Sequence, residues 1–217
     1  LGRLVGSEMC IRDRSRNKKT TNWVKSHARD VYVKKSKRDL YRSRAAYKLH
    51  EINEKFNILG KVKSVADLGC APGSWLQVLK GHENINFLIG IDLLEVEPIK
   101  DIIIAKCDIR DKEQVHKLFE KYNSSLDLVI SDIAPNITGI SDVDQSNFIE
   151  IANDILSFCR LKLKPRGTLI MKYFLGINFE DAMQMLNNNF SKINVFKPSA
   201  SKKHSNEVYL ICIEFKA

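Results

Sequence analysis

Seven short apolar runs recur from residue 64 onward, and most are separated by stretches with helical spacing. The runs Ser64–Leu68, Phe87–Ile91, Ile102–Lys106, Leu126–Ser131, Thr168–Tyr173, Ile193–Phe196 and Val208–Phe215 predict strands. The segments Ser74–Lys80, Lys112–Tyr122, Asp144–Leu163 and Phe179–Asn189 predict helices. Strands joined by crossover helices lie parallel in one sheet, with helices on both of its faces. No helix fits between the last two strands, so they are expected to pair antiparallel. The expectation is an α/β, Rossmann-like, mostly parallel seven-stranded sheet with an antiparallel last strand. Such a sheet builds its ligand site at strand carboxyl ends, so the residues that close each run are the informative ones.

The first run leads into Asp67-x-Gly69-x-x-x-Gly73 and a helix start at Ser74. Gly69 admits backbone angles closed to other residues, and Gly73 lets a ligand approach the chain. The spacing is not the G-x-G-x-x-G of dinucleotide binders, and no phosphate-cradling G-x-x-x-x-G-K-[ST] occurs. A nucleotide without pyrophosphate suits this turn, and S-adenosylmethionine is the obvious one. Asp92 ends the second run, where an acid can accept from both ribose hydroxyls. Asp108 follows the third, where an adenine amino group would be read, although such an acid also serves as a helix cap.

Four separated polar residues stand out in apolar or turn contexts. They are Lys48 in Ala45-Ala46-Tyr47-Lys48-Leu49, Asp132 in Ser131-Asp132-Ile133-Ala134-Pro135, Lys172 in Met171-Lys172-Tyr173, and Glu207 in Ser205-Asn206-Glu207. Lys172 breaks an apolar strand, so a plain surface role suits it poorly. By residues alone, Glu207 also suits a surface ion pair with Lys202 or Lys203, and Lys48 suits one more charge of a basic arm.

That arm dominates the charge. Residues 12–48 hold 14 Lys and Arg against three Asp, a net of +11, while the whole chain carries +9. A concentrated basic stretch is the footprint of a polyanion binder, or else a solvated tail. Trp23, Tyr32, Tyr41 and Tyr47 interleave with it, suited to stacking on bases or to helix packing. Within the arm a helix is predicted from about Ser43, with Ser43 as its N-cap. Residues 1 to about 20 read as separate from the fold. The string from Ser7 to Arg14 resembles translated adapter read-through, and a leader without functional weight is expected there. Residues 21–217 are expected to form one domain.

Five scattered cysteines, Cys10, Cys70, Cys107, Cys159 and Cys212, lack C-x-x-C spacing. They predict free thiols in a reducing cytoplasm, with no disulfide frame or zinc site. The five histidines show no paired spacing, so no metal is expected. No apolar run approaches a membrane span. A monomer is expected.

Together these segments resemble the FtsJ-type ribosomal RNA 2′-O-methyltransferases, from about Asn22 to Phe215. The resemblance implies the S-adenosylmethionine-dependent methyltransferase fold. It places Lys48, Asp132, Lys172 and Glu207 on the family's Lys-Asp-Lys-Glu tetrad. It places Gly73, Trp75, Asp92, Asp108 and Asp132 on cofactor-binding positions, with Gly69 and Ser74 completing the turn. Cys70 and Ser74 depart from the family's usual Ala and Gly, and both are small enough to keep the turn. The implied reaction is methylation of a uridine ribose in the A-loop of large-subunit rRNA, on assembled subunits, with Lys172 as principal catalytic residue. Asp132-Ile133-Ala134-Pro135 lacks the Pro-Pro-aromatic turn of amino-group methyltransferases, and no cysteine follows a proline as in cytosine-C5 enzymes. Alternatives are a tRNA 2′-O-methyltransferase, a small-molecule or protein methyltransferase, and a non-catalytic ribosome assembly factor on the same fold.

Overall fold

The computed structural model describes residues 5–6, 30–122, 125–135, 141–176, 178–202 and 204–216. The expected leader apart from Val5 and Gly6, the arm before Asp30, Trp23, Cys10, His27 and Lys203 all lie outside these residues.

The strands are β1 (Val5–Gly6), β2 (Ser64–Leu68), β3 (Phe87–Asp92), β4 (Ile103–Lys106), β5 (Leu126–Ser131), β6 (Ile133–Ala134), β7 (Leu163–Phe174), β8 (Phe190–Phe196) and β9 (Glu207–Phe215). The helices are α1 (Val31–Arg38), α2 (Ala45–Phe56), α3 (Ser74–Lys80), α4 (Lys112–Glu120), α5 (Ser141–Lys162) and α6 (Phe179–Asn189). Among the described residues β1 pairs with β6 alone. The other seven form one sheet in the order β4-β3-β2-β5-β7-β9-β8. Within this sheet β9 pairs antiparallel with both neighbours, β7 and β8, while β4-β3, β3-β2, β2-β5 and β5-β7 pair in parallel. The antiparallel last strand is as expected. Its insertion between β7 and β8 is a feature no local pattern announces.

Side-chain alternation splits the core between the two faces of this sheet. Ala66, Leu68, Val129, Leu169, Met171 and Leu210 pack toward α4, α5 and α6. Val65, Leu128, Ile130, Ile170, Tyr209 and Ile211 pack toward α2 and α3. Asp67 follows Val65 in that alternation, and Lys172 follows Ile170. Both therefore belong to the face covered by α2.

Three local details differ from the sequence reading. α1 was not predicted: eight residues, capped by Asp30, whose carboxylate accepts from the Tyr32 and Val33 amides. Its apolar face is only Val33 with Ser36, too short for a periodic signal. α2 begins at Ala45 with Arg44 as N-cap. Ser43 lies one residue earlier, accepting from the Ala45 amide at 3.2 Å while its hydroxyl meets Ser74 Oγ at 2.8 Å. β7 starts earlier than expected because Leu163 already pairs with Leu126. An irregularity containing Arg166 at φ 63° follows, and regular pairing resumes at Thr168.

Candidate active site

The sheet reverses its winding between β2 and β5, and the cleft lies at their carboxyl ends, where such folds hold ligands. Gly69 (φ 73°) would drive a Cβ into the Ile133 side chain. Gly73 (φ 105°) would bring one to 2.8 Å from Arg42 Nη1. The turn is stitched to β3, with Gly69 N donating to Ile91 O at 2.8 Å and Ala71 N to Asp92 Oδ2 at 2.8 Å. α2 forms the opposite wall. Trp75 Nε1 donates to Ala45 O at 2.7 Å, and the Trp75 ring lies 5.8 Å from that of Tyr209.

Between these walls is a narrow cleft, with Ser43, Asp67, Gly69, Ser74, Trp75 and Asp132 in its lining. Asp67 is 1% exposed, and its Oδ2 is the only buried side-chain oxygen or nitrogen without a hydrogen-bond partner among the described residues. Burial, with Asp132 and Asp92 nearby, pushes its carboxyl well above the usual range. Two acids, Asp67 and Asp132, thus line the pocket, with Asp92 behind the turn, and Asp67 has an unpartnered oxygen.

Of the predicted cofactor residues, Gly69, Ser74, Trp75 and Asp132 line this cleft. Gly73 shapes the turn. Asp92 is buried behind it, accepting from the Ala71 and Leu94 amides. Asp108 lies apart from the cleft lining, chelated by its near neighbour Arg110, which lowers its carboxyl. The α4 cap is Asp111, not Asp108. Cys70 is a buried free thiol, its pKa raised chiefly by burial.

The four polar residues meet at the mouth of the cleft. Lys172 lies directly opposite Tyr209 in the β7–β9 pairing, and Phe174 opposite Glu207. Alternation brings Lys172, Tyr209 and Glu207 to one face. Asp132 closes β5 beside them, and Lys48 descends from α2. Lys172 Nζ lies 3.0 Å from Asp132 Oδ1 and donates to Asp132 O at 2.6 Å. Lys48 Nζ lies 2.9 Å from Glu207 Oε1 and 3.9 Å from Asp132 Oδ1. Glu207 is therefore no surface partner of Lys202, and Lys48 is buried rather than an arm charge. Burial draws the Lys172 ammonium below its ordinary value against the opposing pull of Asp132, and Lys48 adds to the lowering.

A family model described as FtsJ-like methyltransferase matches residues 41–215. The chain belongs to the FtsJ-like methyltransferase family. It is 39% identical over 197 residues to the ribosomal RNA large subunit methyltransferase E of Pelagibacter ubique, covering 91% of this chain and 97% of that one. It is 41% identical over 194 residues to the protein of the same name from Methylobacillus flagellatus, covering 87% of this chain and 92% of that one. Among solved structures, a ribosomal RNA methyltransferase from Plasmodium falciparum aligns with a TM-score of 0.72 and 32% identity. That alignment covers 81% of this chain and 98% of the other.

In this FtsJ-like methyltransferase four further residues contribute to the site that no sequence motif singles out. Tyr209 donates to Asp132 Oδ1 at 2.6 Å, a contact foreshadowed only by its period-two spacing from Glu207. Ser201 donates to Glu207 Oε1 at 2.7 Å, with no local signal. Asp67 stood in the quoted turn without a role. Arg42 binds the carbonyls of Pro72 and Glu97 at 2.9 and 2.8 Å, tying the glycine turn to the loop after β3. Three basic residues of the arm, Arg42, Arg44 and Lys48, are thus committed to the fold and the site. Tyr32, Tyr41 and Tyr47 pack on one another, with centroids of 5.6 and 5.8 Å for the pairs that include Tyr47.

Proposed function

We propose that this protein transfers the methyl group of S-adenosylmethionine to a ribose 2′-hydroxyl of large-subunit rRNA, at a uridine of the A-loop. The observation that carries the reading is the buried Lys172–Asp132 pair flanked by Lys48–Glu207 at the mouth of the glycine-walled cleft. The relatives from Pelagibacter ubique and Methylobacillus flagellatus, named as ribosomal RNA large subunit methyltransferases, support the rRNA substrate.

The cleft suits the cofactor chemically. Its orphaned Asp67 oxygen and the neighbouring Asp132 and Asp92 favour a cationic ligand with hydrogen-bond donors. The ammonium and sulfonium of S-adenosylmethionine answer to that. Gly69 and Gly73 supply the positive-φ turn beside the cleft, against which Ile133 and Arg42 pack. When bound, S-adenosylmethionine supplies an electrophilic methyl group together with its leaving group.

The chain's own residues supply the rest. Lys172 Nζ accepts the hydroxyl proton as the 2′ oxygen forms its bond to the methyl carbon, a role suited to a buried lysine whose ammonium is held below its ordinary pKa by burial. Lys48 Nζ provides positive charge beside the developing oxyanion. Asp132 and Glu207 hold the two amines and keep the buried charges paired. Lys34, Lys35, Lys37 and Arg38 are exposed on α1 and suit phosphate contacts that position the RNA without reading its sequence.

The test is transfer of labelled methyl to unmethylated large subunits, naked rRNA and tRNA, with Lys172→Ala alongside. Label at a 2′ oxygen of subunit rRNA, lost in the variant, is expected. Label in tRNA alone would overturn the substrate. Cofactor binding without transfer to any RNA would overturn the reaction.

A further inference from the structure

Arg44, Lys48 and Glu51 follow one another at i, i+4 and i+7, so they form a single stripe along α2. Lys48 is the central member and enters the tetrad. The outer two turn to the connection between β8 and β9. Arg44, 4% exposed, donates to Ala200 O and pairs with Asp30, the cap of α1. The Glu51 carboxylate accepts from the Ser199 and Ala200 amides. A cation and an anion, flanking Lys48 along the helix, thus both bond the backbone of one loop, at Ser199 and Ala200.

The next residue of that loop returns to the tetrad. The Ser201 hydroxyl donates to Glu207 Oε1 at 2.7 Å, the same oxygen that Lys48 Nζ approaches at 2.9 Å. Ser201 is buried, and its amide closes a turn onto Pro198 O at 2.9 Å. Glu207 is the first residue of β9, with a long side chain that strand packing alone does not hold.

We propose that Ser201 is a positioning residue for the reaction, held by Arg44 and Glu51 so that its hydroxyl fixes the Glu207 carboxylate and, through it, Lys48. The inference rests on the methyltransferase reading above. Ser201 touches neither substrate nor reacting atoms; it acts through Glu207.

The experiment is a double-mutant cycle on methyl transfer to unmethylated large subunits, using the full chain with S201A, S201T, E207Q and S201A/E207Q. S201A should lower kcat about tenfold, as for loss of a hydrogen bond to a charged group, with both KM values little changed. S201T, which keeps the hydroxyl, should restore most of that loss. In the E207Q background the serine substitution should cost nothing further. Should S201A fold poorly by circular dichroism, Glu51→Ala loosens the same loop and should give the same kcat-only loss. Multiplicative losses in the double variant, or a loss confined to KM, would overturn the inference. An inactive wild-type protein would instead overturn the methyltransferase reading itself.

Discussion

Lys172 engages Asp132 twice, with its Nζ 3.0 Å from the carboxylate Oδ1 and donating to the same residue's backbone carbonyl at 2.6 Å. The lysine is thereby locked to the carboxyl end of β5, beside the cleft. Lys172→Met keeps the stem and removes the amine. Single-turnover methyl transfer should fall by about 10² to 10⁴, the usual range for losing a general base. S-adenosylmethionine affinity should change little. Turnover within tenfold of wild type would remove Lys172 from the chemistry.

The same lysine predicts a pH dependence. Burial holds its ammonium below the ordinary value of 10.5, with Lys48 contributing to the lowering. Only the neutral amine accepts a proton, so kcat should rise with pH through a midpoint below 10.5 and level off above it. Lys48→Met removes one cause of the lowering and should move that midpoint upward. For stability the sign is also positive. Between the lowered pKa and 10.5 the folded state binds fewer protons than the unfolded chain, so stability contributed by this group rises with pH across that window. Coincident pH–rate midpoints in wild type and Lys48→Met would contradict the coupling.

Tyr209 gives a graded prediction. It is fully buried, and its hydroxyl bonds the Asp132 oxygen that both lysines approach. Tyr209→Phe keeps the ring against Trp75 and should cost about 1.5 to 3 kcal/mol of stability, as for a buried hydrogen bond to a charged group. A several-fold kcat loss should accompany it. Thermal unfolding and turnover would check both, and unchanged values would show that the hydroxyl does not restrain Asp132.

Asp67 separates the cofactor reading from a structural one. In the ligand-free protein its raised pKa means that stability falls as pH rises from 3.8 toward that value, because the folded state holds the proton longer. Asp67→Asn should abolish this slope and raise ligand-free stability near neutral pH. It should also weaken S-adenosylmethionine binding by about tenfold, since a neutral amide no longer attracts a cationic ligand. Calorimetric titration showing equal affinity would detach Asp67 from the ligand.

Local pattern made much of this molecule legible. β2, α3, β5 and α6 fall on the expected residues, because apolar runs and amphipathic spacing report burial directly. The same period-two alternation puts Lys172 on the face of Ile170 and Asp67 on that of Val65. Short or polar elements were less legible. α1 depends on the Asp30 cap and on docking against Arg44 and Glu51, and neither contact has a local signature.

By itself, then, the sequence determined the alternating α/β sheet, the glycine turn after β2 and the four polar residues set in apolar or turn contexts, all consequences of spacing along the chain. Only the tertiary structure decided that β9 runs between β7 and β8, which sets Tyr209 opposite Lys172 and brings Glu207 to Lys48. It likewise decided that Ser201 reaches Glu207 and that Arg42 and Arg44 belong to the scaffold rather than to the exposed basic arm. Those relations join residues up to 156 positions apart, as for Arg44 and Ala200. Periodicity encodes which face a residue takes, but strand order and long-range pairing arise from the packing of whole elements against one another.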